Sequence, residues 1–304
     1  MPNTSTAAQL QFPTALASNM FNAVKGHSTL ARLCAATPTP FEGVTEFVFS
    51  MDGEAEIVGE GQAKSPNSAN IVPVKRVPVK FVYQHRVSDE FMDLTEEGRV
   101  PVLQAFADGF SKKIARGLDI AAFHGINPKT GLASDVVGTN HFDAQVTQTV
   151  ELEGAADDAL NSAIKKVQTA ERDVTGLALS TLFGDSLSEV KVNGVIQFPE
   201  FRFGGRPQSF AGRPTDVNTT INKKIAAKTE RDLAIVGDFA NAFRWGYAKK
   251  IPLKVIEYGD PDGLGDLQRM NQVLLRSEAY IGWAILDPAS FARVYDTVEA
   301  GQTA

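Results

Sequence analysis

The glycine-containing stretch from Gly59 to Ser65 is the first candidate for chemistry. It reads Gly-Glu-Gly-Gln-Ala-Lys-Ser, and a lysine and a hydroxyl residue after glycines are typical of a phosphate-binding loop. Such a loop needs glycine directly before the lysine and a helix directly after it, because N–H groups at the helix start hold the phosphate. Here Ala63 precedes Lys64, and no helix pattern follows. The stretch therefore does not predict a nucleotide site.

The acidic stretch from Asp260 to Gly265 is the second candidate, because it has part of the pattern of a calcium loop. Leu264 stands at the third ligand position, and Asn271 stands where a bidentate glutamate is required. We interpret the stretch as a solvated acidic turn. The histidines do not pair at ligand spacing, and they are His27, His85, His124 and His141. We interpret His124, which precedes Gly125, as complementing a helix end rather than as a metal ligand.

Nucleophilic catalysis has equally little support in the sequence. The single cysteine, Cys34, excludes an internal disulfide framework and a four-cysteine metal site, and no base lies near it in sequence. No Gly-x-Ser-x-Gly elbow is present. We therefore predict no enzyme active site, no cofactor and no metal.

The bulk properties exclude several other classes. The 304 residues are enough for one sizeable core or two lobes, and the formal charge of −6 disfavours a general nucleic-acid-binding surface. No apolar run reaches the length of a membrane span, and the start of the chain lacks a basic and hydrophobic signal. These features predict a soluble, intracellular protein.

Two extended runs around a polar tip predict a long β-hairpin. Phe47 and Phe49 alternate with polar residues in the run Thr45–Met51, and Val77, Val79, Phe81 and Tyr83 share one face of a second run. The residues between them, 59–69, are rich in Gly, Ser and polar side chains. Prolines at 73 and 78 lack an N–H donor and favour an edge strand or a free ribbon.

A long amphipathic helix is predicted directly after the hairpin, and we call it the spine helix. Its apolar residues recur at three- and four-residue spacing, and they are Leu103, Phe106, Phe110, Ile114 and Leu118. Gln104, Asp108, Lys112, Arg116 and Asp119 lie between them and predict a polar face. Pro101 fits the first helical turn, and Gly125 fits a helix stop.

The rest of the chain predicts an α+β class. The N-terminal arm is expected to form a short helix with Leu16, Met20, Phe21, Val24 and Leu30, and Asp157 and Asp158 are expected to open a second helix. Residues 184–217 look loop-like, and a terminal helix is expected over Pro288–Val298. Further strands are predicted at 177–182, 233–237, 243–248, 251–258 and 272–283.

Several segments together resemble the major capsid proteins of tailed bacteriophages, which have the Hong Kong 97-type fold. They cover roughly residues 30–295 in the expected order. Besides the spine helix, they are Glu60-Gly-Gln-Ala-Lys-Ser65, Phe123-His-Gly125, Gly212-Arg-Pro214, Arg231–Phe239, Asn271–Glu278 and Asp287–Phe291. Each piece alone is a weak motif, and their combination carries the resemblance.

The resemblance implies a division of the chain into four parts. It consists of an N-terminal arm (1–44), an extension loop (45–84), a peripheral domain (85–151 and 259–304) and an axial domain (152–258). A polar-tipped hairpin that cannot bury itself would then gain contacts by lying over a neighbouring subunit, and repeated heterologous contacts would close a shell.

The resemblance also implies a structural function. Copies of the chain would assemble through pentamers and hexamers into an icosahedral virion shell that encloses double-stranded DNA without sequence-specific binding. Assembly would take place in the host cytoplasm, with no membrane. Because the sequence starts close to the arm, a separate scaffolding protein is expected, together with a portal and decoration proteins. The alternatives are an encapsulin-like compartment around protein cargo, and a soluble hydrolase whose site escapes these patterns.

Some shells of this family form a self-catalysed isopeptide bond between an extension-loop lysine and an asparagine, with a glutamate assisting. By position, Lys64 matches the lysine, Asn271 the asparagine and Glu278 the glutamate. The alternative interpretation is that Lys64 is a solvated loop charge and that Glu278 pairs with a nearby arginine. The resemblance alone leaves both open.

Overall fold

The structure is a computed structural model that describes residues 27–51, 55–66, 68–225 and 228–298. Of the residues expected in the short helix of the arm, Leu16, Met20, Phe21 and Val24 lie outside the described residues, and Leu30 lies in the helix Thr29–Leu33. The helices are α1 (Thr29–Leu33), α2 (Glu90–Asp93), α3 (Glu96–His124), α4 (Phe142–Gln145), α5 (Ala156–Thr169) and α6 (Thr181–Glu189). Helices and sheets are mixed along the chain, so the predicted α+β class is confirmed.

The strands form a six-stranded sheet, a three-stranded sheet and two two-stranded ribbons. The first seven are β1 (Val44–Met51), β2 (Ala69–Arg76), β3 (Pro78–Ser88), β4 (Thr149–Glu151), β5 (Gly176–Leu179), β6 (Lys191–Val192) and β7 (Val195–Ile196). The others are β8 (Ser209–Phe210), β9 (Arg213–Val217), β10 (Glu230–Gly237), β11 (Phe243–Ile256), β12 (Gln272–Ile285) and β13 (Phe291–Thr297). The large sheet has the order β4-β13-β10-β5-β9-β8, and the three-stranded sheet has the order β11-β12-β3. Most pairs are antiparallel, but β13 with β4 and β5 with β9 are parallel.

The spine helix α3 has the predicted apolar stripe and the predicted stop. Phe106, Phe110, Ile114 and Leu118 are buried. Gly125 ends the helix in the left-handed conformation at φ 66°. It must be glycine for a second reason, because an added Cβ would lie 2.4 Å from the His141 ring. Across the described ranges, no helix, this one included, is long and apolar enough to span a membrane.

The predicted start of the spine helix is wrong by more than one turn. The helix begins at Glu96, because the Thr95 side chain accepts a hydrogen bond from the Gly98 N–H at 3.4 Å and caps it. Pro101 is therefore the sixth helical residue and removes one backbone hydrogen bond.

The second strand of the predicted hairpin is also corrected. β1 pairs with β2, from Val44 opposite Arg76 to Met51 opposite Ala69, and not with the run that begins at Val77. That run is β3, which pairs with β12 as an edge strand. The apolar face of β3 packs against the core and not against β1. For example, the ring centroids of Tyr83 and Phe106 are 6.0 Å apart. The edge position predicted from the prolines is confirmed for β3.

Three middle segments differ from their predictions at the boundaries. The strand expected over 177–182 ends at Leu179, because Ser180 accepts a hydrogen bond from the Phe183 N–H at 3.1 Å and caps α6. Helix α6 and short strands therefore occupy much of the loop expected over 184–217. The two strands expected at 243–248 and 251–258 are one strand, β11, with two irregularities in its pairing.

The predicted terminal helix is wrong. Asp287 caps a single 3₁₀ turn, Pro288–Ser290, and the chain then continues as β13. The first four residues of β13 are all buried, since the strand lies between β4 and β10 inside the large sheet. A strand buried on both faces shows no alternation, so periodicity could not identify it.

Two apolar cores result. The first lies around the spine helix and the three-stranded sheet, and its largest side chains include Phe110, Phe123, Trp245 and Trp283. The second lies between the large sheet and helices α5 and α6, around Leu160, Phe183 and Leu233. Strand β10 faces both, with Ile235 in the first core and Val236 in the second.

We expect Phe110→Ala to lower the free energy of unfolding by about 3–5 kcal/mol, because the ring is fully buried and its removal leaves a cavity. Chemical denaturation monitored by circular dichroism measures this loss. The matched control is Lys112→Ala on the exposed side of the same helix, which should shift stability by less than about 0.5 kcal/mol. Equal midpoints for both variants would contradict the central position of Phe110.

Candidate functional site

The β1–β2 ribbon presents an apolar face to solvent. Phe47 lies opposite Pro73 and Phe49 lies opposite Ile71, so the four side chains share one face of the two-stranded ribbon. Phe47 and Phe49 are each 64% exposed, and Ile71 is 50% exposed. We call these four residues the ribbon face. Contiguous exposed aromatic and aliphatic side chains are typical of an interaction surface.

The base of the ribbon is fixed rigidly to the body. The Arg76 guanidinium is buried, donates to the Thr37 hydroxyl at 2.6 Å and pairs with Glu46 at 3.2 Å. The backbone of Thr37 in turn donates to the carbonyl of Trp245 at 2.8 Å. This close approach requires Gly246, where a Cβ would lie 1.6 Å from the Thr37 carbonyl oxygen. The base of the ribbon therefore has a fixed position on the body of the protein.

Lys64 lies in the segment that joins the two ribbon strands. Its side chain is exposed, and the neighbouring backbone is held by two local contacts. The Gln62 N–H donates to the Gly59 carbonyl at 3.2 Å, and the Ser65 N–H donates to the Glu56 carboxylate at 3.0 Å. Among the described residues, the next element after Lys64 is strand β2 and not the helix that a phosphate-binding loop requires.

Asn271 lies in the acidic loop before β12. It is exposed, has a left-handed backbone at φ 51° and ends the 3₁₀ turn Gln268–Met270. The loop is positioned by Arg86 of β3, which binds the carboxylates of Asp260 and Asp262 and the Gly265 carbonyl. The acidic residues therefore pair with a protein cation, which agrees with a structural turn rather than a calcium site.

Glu278 lies in the middle of β12 and is buried. Its carboxylate pairs with Lys80 of β3, with 3.0 Å between Nζ and Oε1. The hydrogen bond to Glu278 is the main reason that the pKa of Lys80 is raised above its ordinary value. The alternative interpretation of the sequence paired Glu278 with an arginine, whereas its partner in the structure is a lysine.

A single chain cannot bring Asn271 and Glu278 to the same lysine. They are separated by seven residues along a strand that pairs with β3 without interruption, which corresponds to about 20 Å. A site that joins Lys64, Asn271 and Glu278 therefore needs side chains from more than one copy.

A buried charged cluster at the end of the spine helix was not predicted from sequence. His124 Nδ1 lies 3.1 Å from the Asp143 carboxylate, and His124 Nε2 lies 3.0 Å from the Thr220 carbonyl. Both partners accept hydrogen bonds, so both ring nitrogens must carry protons. Arg293 of β13 donates to the Asp232 carboxylate from Nε at 3.1 Å and from Nη2 at 2.8 Å. Two cations thus balance two carboxylates.

This cluster has the residue types of a metal site but does not fit a metal. One ligand atom each from His124, Asp143 and Asp232 lie within 4.8 Å of one another. A metal would have to remove the proton from a histidine nitrogen and displace Arg293 from Asp232. The arrangement is instead an ion-pair network that joins the spine helix to the large sheet.

A second buried carboxylate, Asp119, was predicted on the polar face of the spine helix. That prediction is wrong, because Asp119 is fully buried. It accepts hydrogen bonds from the Ser28 hydroxyl at 2.6 Å, the Thr29 N–H at 2.8 Å and the Thr220 hydroxyl at 3.1 Å. Burial outweighs these bonds and raises the pKa of Asp119 to about 7. The carboxylate fixes the start of α1 to the spine helix.

The comparisons with known proteins agree with this architecture. The sequence model of the phage capsid family matches residues 10–295, so the chain belongs to the phage capsid family. A solved structure from Mycobacterium phage Ogopogo is 34% identical, with a TM-score of 0.76 over 89% of this chain and 92% of that chain. One from Gordonia phage Cozz is 27% identical, with a TM-score of 0.74 over 90% and 87%.

A more distant structure shares the fold. It is the capsid of an empty GTA particle computed with C5 symmetry, at 15% identity and a TM-score of 0.62 over 90% of each chain. No curated protein matches the sequence. The predicted Hong Kong 97-type resemblance is confirmed at the level of the family and the fold, and the chain is a structural capsid protein.

We expect His124→Gln to lower the free energy of unfolding by about 3–5 kcal/mol near pH 6, because it removes the nearest buried cation of Asp143 and leaves the more distant Arg293 at 3.6 Å. Burial lowers the pKa of His124, but Asp143 and Asp232 outweigh it and raise the pKa overall. The stabilisation by the charged ring is complete below the unfolded pKa of about 6.5 and is lost as the pH rises through the folded pKa. The difference between wild type and variant should therefore shrink as the pH rises from 6.5 towards 9.

The measurement is chemical denaturation of both proteins at several pH values. His85→Gln is the matched control, since His85 is exposed on β3. A loss for His124→Gln that is the same at every pH would show that the ring acts by shape rather than by charge.

Proposed function

We propose that this chain is the major capsid protein of a tailed bacteriophage and that its copies form a closed icosahedral shell around double-stranded DNA. Membership of the phage capsid family supports this proposal. The observation that carries it in the structure is the ribbon face, because exposed Phe47, Phe49 and Ile71 are on a rigidly rooted ribbon. Burial of such side chains in a partner is worth about 1.5–3 kcal/mol each when complete.

In this proposal the ribbon is the extension loop and lies over a neighbouring copy. The arm (1–44), peripheral domain (85–151 and 259–304) and axial domain (152–258) complete the subunit. Pentamers and hexamers arise because one heterologous contact repeats around rings of different size. A separate scaffolding protein, a portal and decoration proteins are the proposed partners, and assembly takes place in the host cytoplasm. The chain contacts DNA without reading its sequence, consistent with a net charge of −6.

We expect the purified wild-type protein to form rings and closed shells in electron micrographs, and Phe47→Ser with Phe49→Ser to leave folded subunits that assemble poorly. Neither ring contributes to the buried core, so the melting temperature should change little. Leu132→Ser is the matched control, since Leu132 is exposed outside the ribbon. A small shell around protein cargo would favour the encapsulin-like alternative, and a monomeric wild type with turnover would contradict the capsid function.

We also propose that mature shells are cross-linked through Lys64. The neutral amine of Lys64 attacks the side-chain carbonyl carbon of Asn271, the C–N bond to the amide nitrogen breaks, and ammonia leaves as the isopeptide bond forms. Glu278 accepts the proton that the lysine must lose. The exposure of Lys64 and Asn271 supports this role, and the 20 Å spacing along β12 implies that the groups come from different copies.

We expect mature particles to give ladders, or material too large to enter the gel, on denaturing electrophoresis. Lys64→Ala should return all the protein to the monomer band, because the nucleophile is gone. Lys75→Ala, which removes an exposed ribbon lysine, should leave the ladder unchanged. A single monomer band from mature wild-type particles would refute the cross-link without affecting the proposed shell.

A further inference from the structure

The 3₁₀ turn Pro199–Gly204 displays one aromatic ring to solvent. Phe203 is 97% exposed and has a left-handed backbone with φ 56° and ψ 33°. A bulky residue without glycine's freedom is strained in this region, and such strain persists where the surroundings impose it. Both the position and the conformation of Phe203 are therefore costly for an isolated subunit.

The residues on either side of Phe203 fix the position of its backbone. Phe201, two residues earlier, is buried and packs against Phe210 with 5.1 Å between ring centroids. Two residues later, a Cβ on Gly205 would lie 2.0 Å from the Glu200 carbonyl oxygen, so the turn closes too tightly for any other residue. The Arg202 guanidinium lies 5.0 Å from the centre of the Phe203 ring. The backbone that carries the ring is therefore held in place, and the ring projects from it into solvent.

The segment 199–206, which includes the turn, carries one more positive than negative side chain. Arg202 and Arg206 are exposed on either side of Phe203, and Glu200 is the acidic residue within the turn. In the part of the chain that the structure describes, neither arginine forms an ion pair. We call Arg202, Phe203 and Arg206 the aromatic knob. An exposed aromatic ring with arginine beside it has the composition of an interface hot spot.

Helix α6 presents a surface of opposite charge. Leu182, Asp185 and Glu189 are exposed and fall on one side of the helix, at a spacing of three and four residues. Leu182 is 37% exposed, and the two carboxylates form no ion pair among the described residues. We call these three residues the acidic face. It combines an apolar centre with negative charge and so complements the aromatic knob.

The knob and the acidic face of one copy cannot meet each other. The opposite side of α6 carries Phe183, Gly184 and Leu187, which are buried. A Cβ on Gly184 would lie 3.4 Å from the Phe201 ring, so this buried side of the helix packs on the turn that holds the knob. The acidic face therefore lies on the side of α6 away from the turn. Contact between them requires a second copy.

We propose that the aromatic knob of one copy packs on the acidic face of α6 in the next copy, as a head-to-tail contact that closes a ring. A contact between two different surfaces of the same chain is heterologous, and a fixed rotation from each copy to the next closes such contacts into a ring. The ring of Phe203 covers Leu182, while Arg202 and Arg206 pair with Asp185 and Glu189. This inference rests on the proposed self-assembly and names the side chains that join neighbouring copies.

The test compares particle formation by sedimentation and electron microscopy. Phe203→Ala should weaken the contact by on the order of tenfold. Because the same contact recurs around each ring, this loss should remove most particles. Phe203→Tyr keeps the ring and should assemble like wild type. Because Phe203 is almost fully exposed, the melting temperature should stay within a few degrees for both variants.

A charge reversal tests the pairing itself. Arg202→Glu with Arg206→Glu should abolish assembly, and Asp185→Arg with Glu189→Arg in the same chain should restore it. Normal assembly of Phe203→Ala, or no rescue by the four substitutions together, would overturn the inference. A wild type that forms neither rings nor shells would instead contradict the proposed function, so the two failures are distinguishable.

Discussion

Residues 117–124 of the spine helix are buried on every side, and most of the fold depends on this constraint. A helix surrounded by protein must satisfy its polar groups internally, since an unpaired buried carboxylate or imidazole costs several kcal/mol. Asp119 therefore binds the start of α1 and Thr220, and His124 binds Asp143 and the Thr220 carbonyl. Arg293 completes the second cluster from β13. One helix end thus fixes the arm, the 215–221 segment and the large sheet.

The sequence predicted the elements whose burial is one-sided and failed where burial is complete. The stripe through Phe110 was identified correctly, because the spine helix has a buried and an exposed face there. The alternation in β1 was also identified correctly, but its apolar residues Phe47 and Phe49 are exposed rather than buried. Asp119 was assigned to the polar face, since helical spacing does not show that neighbouring segments cover that face. β13 was assigned as a helix for the same reason, because burial on both faces removes the period of two.

The residues of the candidate site were also predicted only in part. Lys64, Asn271 and Glu278 were chosen by position, and the structure adds that two of them lie far apart on one strand. The strand predicted at 272–283 already implied that spacing, and the structure adds that β12 pairs with β3 over residues 272–282 without a shift in register. Phe203 was missed because its strain and exposure are properties of the folded turn. Adjacent glycines at 204 and 205 were the available signal, since they mark a backbone forced into a tight path.

The pairing of Lys80 with Glu278 limits when a cross-link could form. The Glu278 carboxylate already pairs with the Lys80 ammonium, so a second lysine can reach it only by displacing Lys80. The Lys80 side chain is 44% exposed, so its ammonium can move into solvent when another cation approaches Glu278. If a neighbour's Lys64 replaces Lys80, the displaced lysine is solvated and the incoming amine meets a buried base. Cross-linking chemistry would then begin only after subunits have reached their final arrangement, since the subunit alone keeps its own base occupied.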